Sequence, residues 1–100
     1  MIPYGKQSIN KADIDAVVNV LNSDYLTQGP QVPIFEQTIS NYCGSSYAVA
    51  VNSATSALHI SCLALGLSKG DWLWTSPNSF VASSNCGLFC QAKIDFVDID

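Results

Sequence analysis

The sequence predicts an α/β fold in which helices pack around a mainly parallel sheet. Three short segments, at 47–51, 72–75 and 94–98, are rich in the β-branched and aromatic residues that favour strands. Apolar residues at helical spacing fill the two intervals between these segments. Because parallel strands of one sheet are joined by right-handed crossovers, the order β-α-β-α-β over residues 46–100 predicts a layered sheet.

A helical segment is predicted to precede the sheet, over residues 1–45. An asparagine is expected to cap a first helix over about 10–22, whose apolar residues recur on one face. The loop at 24–31 contains a Gly-Pro break, and a second helix is expected over about 32–43. Gly44 follows at the position where a left-handed residue commonly ends a helix.

Capping residues predict the bounds of the two sheet helices. Asn52 and Ser53 are both suited to cap the helix after the first strand, and Gly66 is expected to end it. Residues 76–79 are expected to cap a further helix over about 80–91. Because a parallel sheet needs further strands and covering helices, residues 1–100 are expected to be the N-terminal segment of one major domain in a longer protein.

The composition excludes several classes of partner. Lysine and arginine together number four and the net charge is −4, so no basic patch is expected for nucleic acid or an anionic membrane surface. There is no stretch of about 18 apolar residues, so a bilayer span is not expected. The first residues do not combine a charged leader with an apolar run, and we therefore expect a cytoplasmic protein.

The four cysteines are expected to be reduced thiols, most of them buried, because no export signal accompanies them. They are Cys43, Cys62, Cys86 and Cys90. Cys86 and Cys90 are one helical turn apart, but no second pair of ligands has suitable spacing and His59 is the only histidine. No metal site is therefore expected.

The strand-to-helix turn at 52–55 is the main candidate binding site. The first amide groups of such a helix point into the crevice at the carboxyl edge of the sheet, where the helix dipole favours an anion. Ser53, Thr55 and Ser56 add hydroxyls, and Ala54 leaves the approach open. The turn lacks the features of a Walker loop, a dinucleotide fingerprint or a nucleophile elbow. Two interpretations remain open at this point, a phosphate site and a hydroxyl-rich cap without a ligand.

Four further residues are weaker candidates. Phe80 follows the second strand at the same sheet edge as the turn, where its ring could stack on a flat cofactor or pack in the core. His59 has no acidic partner nearby in sequence, which favours a surface or core histidine over a catalytic base. Asp98 and Asp100 follow the third strand, where polar residues mark a strand end more often than a metal site.

Several stretches occur together in the order typical of one family. They are 14–21, 26–30, 35–36, 51–58, 70–71, 76–82 and 96–100. With these stretches the chain resembles the N-terminal part of the DegT/DnrJ/EryC1/StrS family of nucleotide-sugar aminotransferases, which are pyridoxal-phosphate enzymes of the aspartate aminotransferase fold (fold type I). The segment 52–55 is most similar to the branch that aminates UDP-4-keto-6-deoxy-N-acetylaltrosamine in pseudaminic acid biosynthesis. Trp72 and Trp74 depart from the acidic and aliphatic residues usual after the 70–71 pair.

The resemblance implies a role for each matched position. Ser53, the amides of Ala54 and Thr55 and the Thr55 hydroxyl would hold the phosphate of pyridoxal 5'-phosphate (PLP), and Phe80 would stack on its pyridine ring. The positions that match the sugar-nucleotide pocket are Tyr4, Asp24, Tyr25, Leu26, Thr27 and Ala54.

The resemblance also implies the reaction, the transfer of an amino group from glutamate to C4 of a UDP-4-keto-6-deoxy-N-acetylhexosamine by a homodimer. The family's Schiff-base lysine is expected beyond residue 100, since Lys69 and Lys93 match no catalytic position. The 100-residue chain alone is therefore expected to be inactive. A PLP/PMP-dependent sugar dehydratase of the same family and an inactive phosphate-binding fragment remain as alternatives.

Overall fold

The computed structural model describes residues 5–99, and the chain divides into two compact units between Val49 and Ala50. Tyr4 and Asp100, which the sequence singles out, lie outside the described residues. The first unit contains two helices, and the second contains two helices and a sheet. Within residues 5–99, no helix has both the length and the apolar character that crossing a bilayer requires.

The first unit starts its regular structure with helix α1, Lys11–Leu21. Asn10 caps it, as predicted, because its side-chain oxygen accepts the backbone N–H groups of Ala12 at 2.8 Å and Asp13 at 3.2 Å. In return, a carboxylate oxygen of Asp13 accepts the backbone N–H of Asn10 at 2.8 Å, which completes a capping box. No residue of α1 is buried, so side-chain capping rather than packing fixes where this helix begins.

Helix α2, Gln31–Cys43, begins directly after Pro30. Gly44 ends it in the left-handed conformation with a φ of 66°, and the N–H of Ser45 returns to the carbonyl of Ser40 at 3.0 Å. This is the helix end that a glycine at this position predicts, because glycine adopts positive φ without a steric penalty. The predicted bounds of α1 and α2 are confirmed to within one residue at each end.

The second unit is built on a parallel pair of strands. Its elements are α3 (Ala54–Ala64), β1 (Trp72–Thr75), α4 (Ala82–Phe89) and β2 (Lys93–Phe96). In the sheet, Leu73 of β1 lies opposite Ile94 of β2. Helix α4 connects the two strands and packs on both of them, and α3 packs on α4. Both strands and both helices predicted after residue 52 are therefore present.

The first predicted strand, 47–51, is wrong. Residues 45–51 form no strand, and the sheet within residues 5–99 consists of β1 and β2. The composition of this segment suits extended backbone, but a strand exists only where a neighbouring strand supplies ladder hydrogen bonds. Because β1 and β2 pair with each other, the second unit has the order α-β-α-β rather than β-α-β-α-β.

Helix α4 and strand β2 are shorter than predicted. Val81 precedes the first residue of α4 without a side-chain cap, so residues 76–79 do not cap this helix as predicted. The last bond of the ladder joins the N–H of Val97 to the carbonyl of Thr75 at 2.9 Å. Since β1 ends at Thr75, β2 loses its partner there and ends at Phe96.

The core of the second unit lies where α3 and α4 meet the sheet. It contains three buried cysteines, Cys62, Cys86 and Cys90, which we call the thiol cluster. Leu67 and Leu73 pack against this cluster. Small side chains thus fill the centre of the unit, which allows the helices to approach each other closely.

Gly87 sets the distance between α4 and the sheet. A Cβ atom at this position would lie 2.5 Å from Cδ1 of Ile94 and 2.8 Å from Cδ2 of Leu73. A side chain here would push apart the helix and the two strands, because the contacts in a packed core leave no space for it. The glycine is therefore part of the packing of the second unit.

Candidate functional site

The turn into α3 is organised by serine side chains. Of the two predicted caps, Asn52 and Ser53, it is Ser53 that caps the helix, and its hydroxyl accepts the N–H of Ser56 at 3.2 Å. The hydroxyl of Ser56 donates to Oδ1 of Asn52 at 3.0 Å and lies 3.0 Å from Oγ of Ser53. Because the Ser56 proton is used on Asn52, the Ser53 hydroxyl donates to Ser56. The hydroxyls of Ser53 and Ser56 therefore fix the conformation of the turn. Ser56 lies three positions after Ser53 and four after Asn52, a spacing from which the network of bonds could have been predicted.

The first two amide groups of α3 have no acceptor within residues 5–99. The first bond along the helix runs from the N–H of Ala57 to the carbonyl of Ser53 at 3.0 Å, so Ala54 and Thr55 precede it. Their N–H groups stand at the positive end of the helix dipole, with the half-buried Thr55 side chain beside them. Two available amides and one hydroxyl at a capped helix start are suited to hold a phosphate.

A cavity of about 220 Å³ lies at the carboxyl ends of β1 and β2. Phe80 lines it, together with Thr75 at the end of β1 and Phe96 at the end of β2. The Phe80 side chain is 75% exposed, so among the described residues its ring is not part of the core. Ser79 and Ser83 add a hydroxyl pair, 2.9 Å apart, to the same wall. Sequence reasoning missed this pair, although serines four residues apart at a helix start are its signal.

The start of α3 and the Phe80 cavity both belong to the second unit. Helix α3 packs on α4, and Ser83 and Ser84 of α4 line the Phe80 cavity. Leu65 at the end of α3 and Trp72 at the start of β1 line a separate cavity of about 480 Å³.

The predicted substrate residues of the first unit lie on the loop between α1 and α2. Asp24, Tyr25, Leu26 and Thr27 are all exposed, with 62% of Tyr25 and 67% of Leu26 accessible. Asp24 and Tyr25 line a cavity of about 220 Å³ with the end of α1 and the start of α2. The structure thus groups these four residues in the first unit, whereas Ser53, the α3 amides and Phe80 are grouped in the second.

The weaker candidates have structural partners. The ring of His59 meets that of Phe89 edge to face, with centroids 5.2 Å apart and an interplanar angle of 63°, so it packs α3 against α4. Oδ1 of Asp98 accepts the N–H of Ile99 at 2.9 Å. Among residues 5–99, no three His, Cys, Asp or Glu side chains are grouped so that they could hold a metal ion.

The three thiols of the cluster are free and buried. Burial, followed by the hydrogen bond and charge of neighbouring Cys86, raises the pKa of the Cys62 thiol from 9.0 to about 11. Sγ of Cys86 in turn donates to the carbonyl of Ser83 at 3.3 Å. Because the thiolate is the reactive form, a protonated and buried thiol serves packing rather than nucleophilic chemistry. The expectation of buried thiols is confirmed for the cluster, whereas Cys43 in the first unit is exposed.

Comparison with known proteins identifies the family. The profile of the DegT/DnrJ/EryC1/StrS aminotransferase family matches residues 7–100. The chain belongs to this family. A UDP-4-amino-4,6-dideoxy-N-acetyl-beta-L-altrosamine transaminase of Campylobacter jejuni subsp. jejuni serotype O:23/36 (strain 81-176) is 42% identical over 99 residues, which are 99% of this chain and 26% of that protein. The spore coat polysaccharide biosynthesis protein SpsC of Bacillus subtilis (strain 168) is 38% identical over 99% of the chain and 25% of its own length. The family resemblance derived from the sequence is confirmed.

Solved structures of the family share the fold. The Helicobacter pylori aminotransferase PseC, involved in the biosynthesis of pseudoaminic acid, matches 98% of this chain and 27% of its own with a TM-score of 0.90 and 35% identity. A protein of Streptococcus pneumoniae assigned as a sugar aminotransferase, solved in its PLP form, matches 99% of this chain and 25% of its own with a TM-score of 0.90 and 31% identity. The predicted fold class, the α/β fold of the PLP-dependent transferases, is confirmed. The chain spans about a quarter of the length of the curated relatives it matches.

Proposed function

We propose that the chain is the N-terminal quarter of a PLP-dependent aminotransferase that moves an amino group from glutamate to C4 of a UDP-4-keto-6-deoxy-N-acetylhexosamine. The product would enter pseudaminic acid or related glycan biosynthesis. The observation that carries the proposal is the start of α3, where a serine cap leaves two amide groups available in the same unit as the Phe80 cavity. The transaminase named above, at 42% identity, supports the substrate class.

The residues at the start of α3 and Phe80 fit PLP. The amides of Ala54 and Thr55 and the Thr55 hydroxyl would bind the phosphate, Ser53 would hold the turn in shape, and Phe80 would stack on the pyridine ring. When bound, the cofactor supplies the electron sink that lets an amino group pass from donor to acceptor. The Phe80 cavity, at about 220 Å³, is smaller than the roughly 300–1,000 Å³ of complete small-molecule sites. It therefore fits one wall of a site that other parts of the protein would complete.

The positions that the family resemblance assigns to the sugar-nucleotide pocket are proposed to contact the sugar nucleotide. The exposure of the loop between α1 and α2 supports this role, because binding residues concentrate on loops that a scaffold positions. The proposed contacts are Tyr4, which lies outside the described residues, and Asp24, Tyr25, Leu26, Thr27 and Ala54.

The lysine that bonds covalently to the cofactor is proposed to come from another part of the polypeptide. Lys69 lies in the turn before β1 and Lys93 begins β2, so both stand at the opposite edge of the sheet from Phe80. The ammonium of Lys93 lies 5.2 Å from the centre of a Trp72 ring. The chain alone would therefore bind but not turn over substrate. We further propose a cytoplasmic homodimer, in keeping with the resemblance to a family of dimeric enzymes.

Absorbance spectroscopy of the longer polypeptide that carries this chain tests the proposal. With PLP, we expect a visible band that borohydride abolishes while fixing the cofactor to a lysine. Glutamate should then convert the bound cofactor to its amino form and release 2-oxoglutarate, and the UDP-keto-sugar should reverse the change. A protein that shows no such band, or whose band glutamate leaves unchanged, would contradict the proposed function.

A further inference from the structure

We propose that Ser23 and Gly29 are positioning residues that clamp Tyr25, so that the loop 24–27 meets the sugar nucleotide in one conformation. The inference rests on the proposed function and deepens it, because it identifies residues that set substrate affinity without touching the substrate. Three features of the loop carry it: the bonds of one hydroxyl, the close approach of one glycine and a left-handed residue between them.

The hydroxyl of Ser23 ties the backbone of Tyr25 to the end of α1. It lies 2.7 Å from the carbonyl oxygen of Val20 and 3.2 Å from that of Tyr25, so its proton is shared between the two. The same oxygen accepts the N–H of Tyr25 at 3.3 Å. Both polar backbone groups of Tyr25 are therefore held by one side chain that is anchored on the preceding helix.

Gly29 packs closely against Tyr25 from the other side of the loop. A Cβ atom at position 29 would lie 2.9 Å from Cβ of Tyr25 and 3.2 Å from its carbonyl oxygen. Neither atom is the mobile end of a side chain, so any residue larger than glycine would displace the Tyr25 backbone. The chain reaches this approach through Gln28, whose φ of 53° is left-handed. A non-glycine residue keeps such a conformation only where its surroundings hold it.

The clamp fixes the backbone of Tyr25 and leaves its ring free to bind. The side chain is 62% exposed although the backbone is held from two sides. A loop that is ordered before binding loses less conformational freedom when the ligand arrives, which increases affinity. Neither Ser23 nor Gly29 belongs to the proposed cofactor site. Loosening the clamp should therefore weaken substrate binding and leave the rate of amino transfer unchanged.

Kinetics of the longer PLP-loaded polypeptide separate these effects. Ser23→Ala and Gly29→Ala are each expected to raise the KM for the UDP-sugar about five- to tenfold. This weakening of substrate binding is equal to the free energy of about one hydrogen bond. The kcat and the reaction with glutamate alone should stay within about twofold of the wild type. Ser23→Thr, which keeps the hydroxyl, should restore the wild-type KM.

Ser45→Ala provides the matched control. The hydroxyl of Ser45 donates to the carbonyl of Tyr47 at 3.0 Å, the same kind of bond at another tyrosine, and its loss should leave the KM unchanged. Three outcomes would overturn the clamp while leaving the proposed function intact, provided that the wild type reacts with glutamate and sugar. They are an unchanged KM in Ser23→Ala and Gly29→Ala, a change in melting temperature alone, and a reduced kcat in place of a raised KM. A wild type that exchanges no amino group with glutamate overturns the proposed function, and the clamp with it.

Discussion

Among residues 50–99, five apolar residues keep 8% or less of their surface exposed, whereas among residues 5–49 the buried residue is Ser40. In the second unit, the thiol cluster and Gly87 hold helices against a sheet. In the first unit, α1 leaves Val17 and Leu21 at least 60% exposed and is held at its start by a capping box. One unit is stabilised by packing between elements, and the other by hydrogen bonds within them.

This difference determines where substitutions should act. A change in the core of the second unit moves α4 relative to the sheet, and with it the cavity that Phe80 lines. A change at a helix cap of the first unit should stay local, because the cap bonds join residues at most three positions apart. The exposed apolar face of α1 is accounted for if the chain is a quarter of a larger enzyme, whose other parts would cover it.

The largest contrast is expected in thiol reactivity. In the native protein, an alkylating reagent should modify exposed Cys43 readily and the thiol cluster of the second unit only after unfolding. Since the pKa of Cys62 is raised from 9.0 to about 11, its thiolate fraction below pH 9 falls about a hundredfold. Mass spectrometry of the labelled peptides measures the four rates. Equal native rates for Cys43 and the cluster would show that the cluster is not a core.

The same thiol predicts how stability depends on pH. The fold favours the protonated form of Cys62, so its contribution is fully present below the unfolded pKa of about 9 and is lost as pH rises toward about 11. Urea midpoints measured between pH 8 and pH 11 should therefore decrease, and the decrease should be smaller in Cys62→Ala. A wild type and variant with parallel pH profiles would contradict the raised pKa.

Replacing Gly87 with valine should cause the largest loss of stability. The added Cβ would fall within 3.1 Å of Leu73 and 2.5 Å of Ile94, and relieving this overlap costs about 3 kcal/mol. Urea unfolding measures the change, and the thiol cluster should also become reactive because α4 is displaced. Gly5→Ala is the control, since a Cβ there meets no atom within 4 Å. A stable Gly87→Val protein with protected thiols would show that the approach of α4 is not tight.

A smaller, purely functional effect is expected at the start of α3. Thr55→Ala removes the hydroxyl but keeps both amides, so PLP affinity should fall about tenfold, the value of one hydrogen bond to a charged group. Fluorescence titration of the apoenzyme with PLP measures this. Ser61→Ala removes a hydroxyl that donates to the Ala57 carbonyl at 2.8 Å in the same helix and should leave the affinity unchanged. An unchanged affinity in Thr55→Ala would remove Thr55 from the proposed phosphate site.

Local chemistry made much of this fold predictable. Asn10, Gly44 and Ser53 act at helix ends through bonds to residues at most three or four positions away, so their roles can be inferred from sequence. The sequence predicts strand β1 with its observed bounds because its residues favour extended backbone. These are the properties that a short window of sequence contains.

The wrong strand prediction concerns pairing, which depends on atoms distant in sequence. Residues 47–51 have strand composition, but composition does not tell which segment will supply a ladder. The role of Ser53 as a phosphate ligand stays a prediction, and the structure adds that its proton is used on Ser56. The location of the cofactor site also stays a prediction, whereas the sharing of protons among the hydroxyls at the start of α3 required the structure.

The smallest effect should come from the cap of α1. Asn10→Ala removes the acceptor of two backbone N–H groups and should cost about 1 kcal/mol. Hydrogen exchange should therefore accelerate about fivefold at Ala12 and Asp13, while protection of the thiol cluster stays unchanged. Lys11→Ala is the control, because its ion pair with Asp15, at 2.8 Å, is exposed and worth at most about 0.5 kcal/mol. If Asn10→Ala instead exposed the thiol cluster, as Gly87→Val should, the two units would unfold in one cooperative transition. The contrast between capping and packing would then describe where the stabilising contacts lie but not how the protein unfolds.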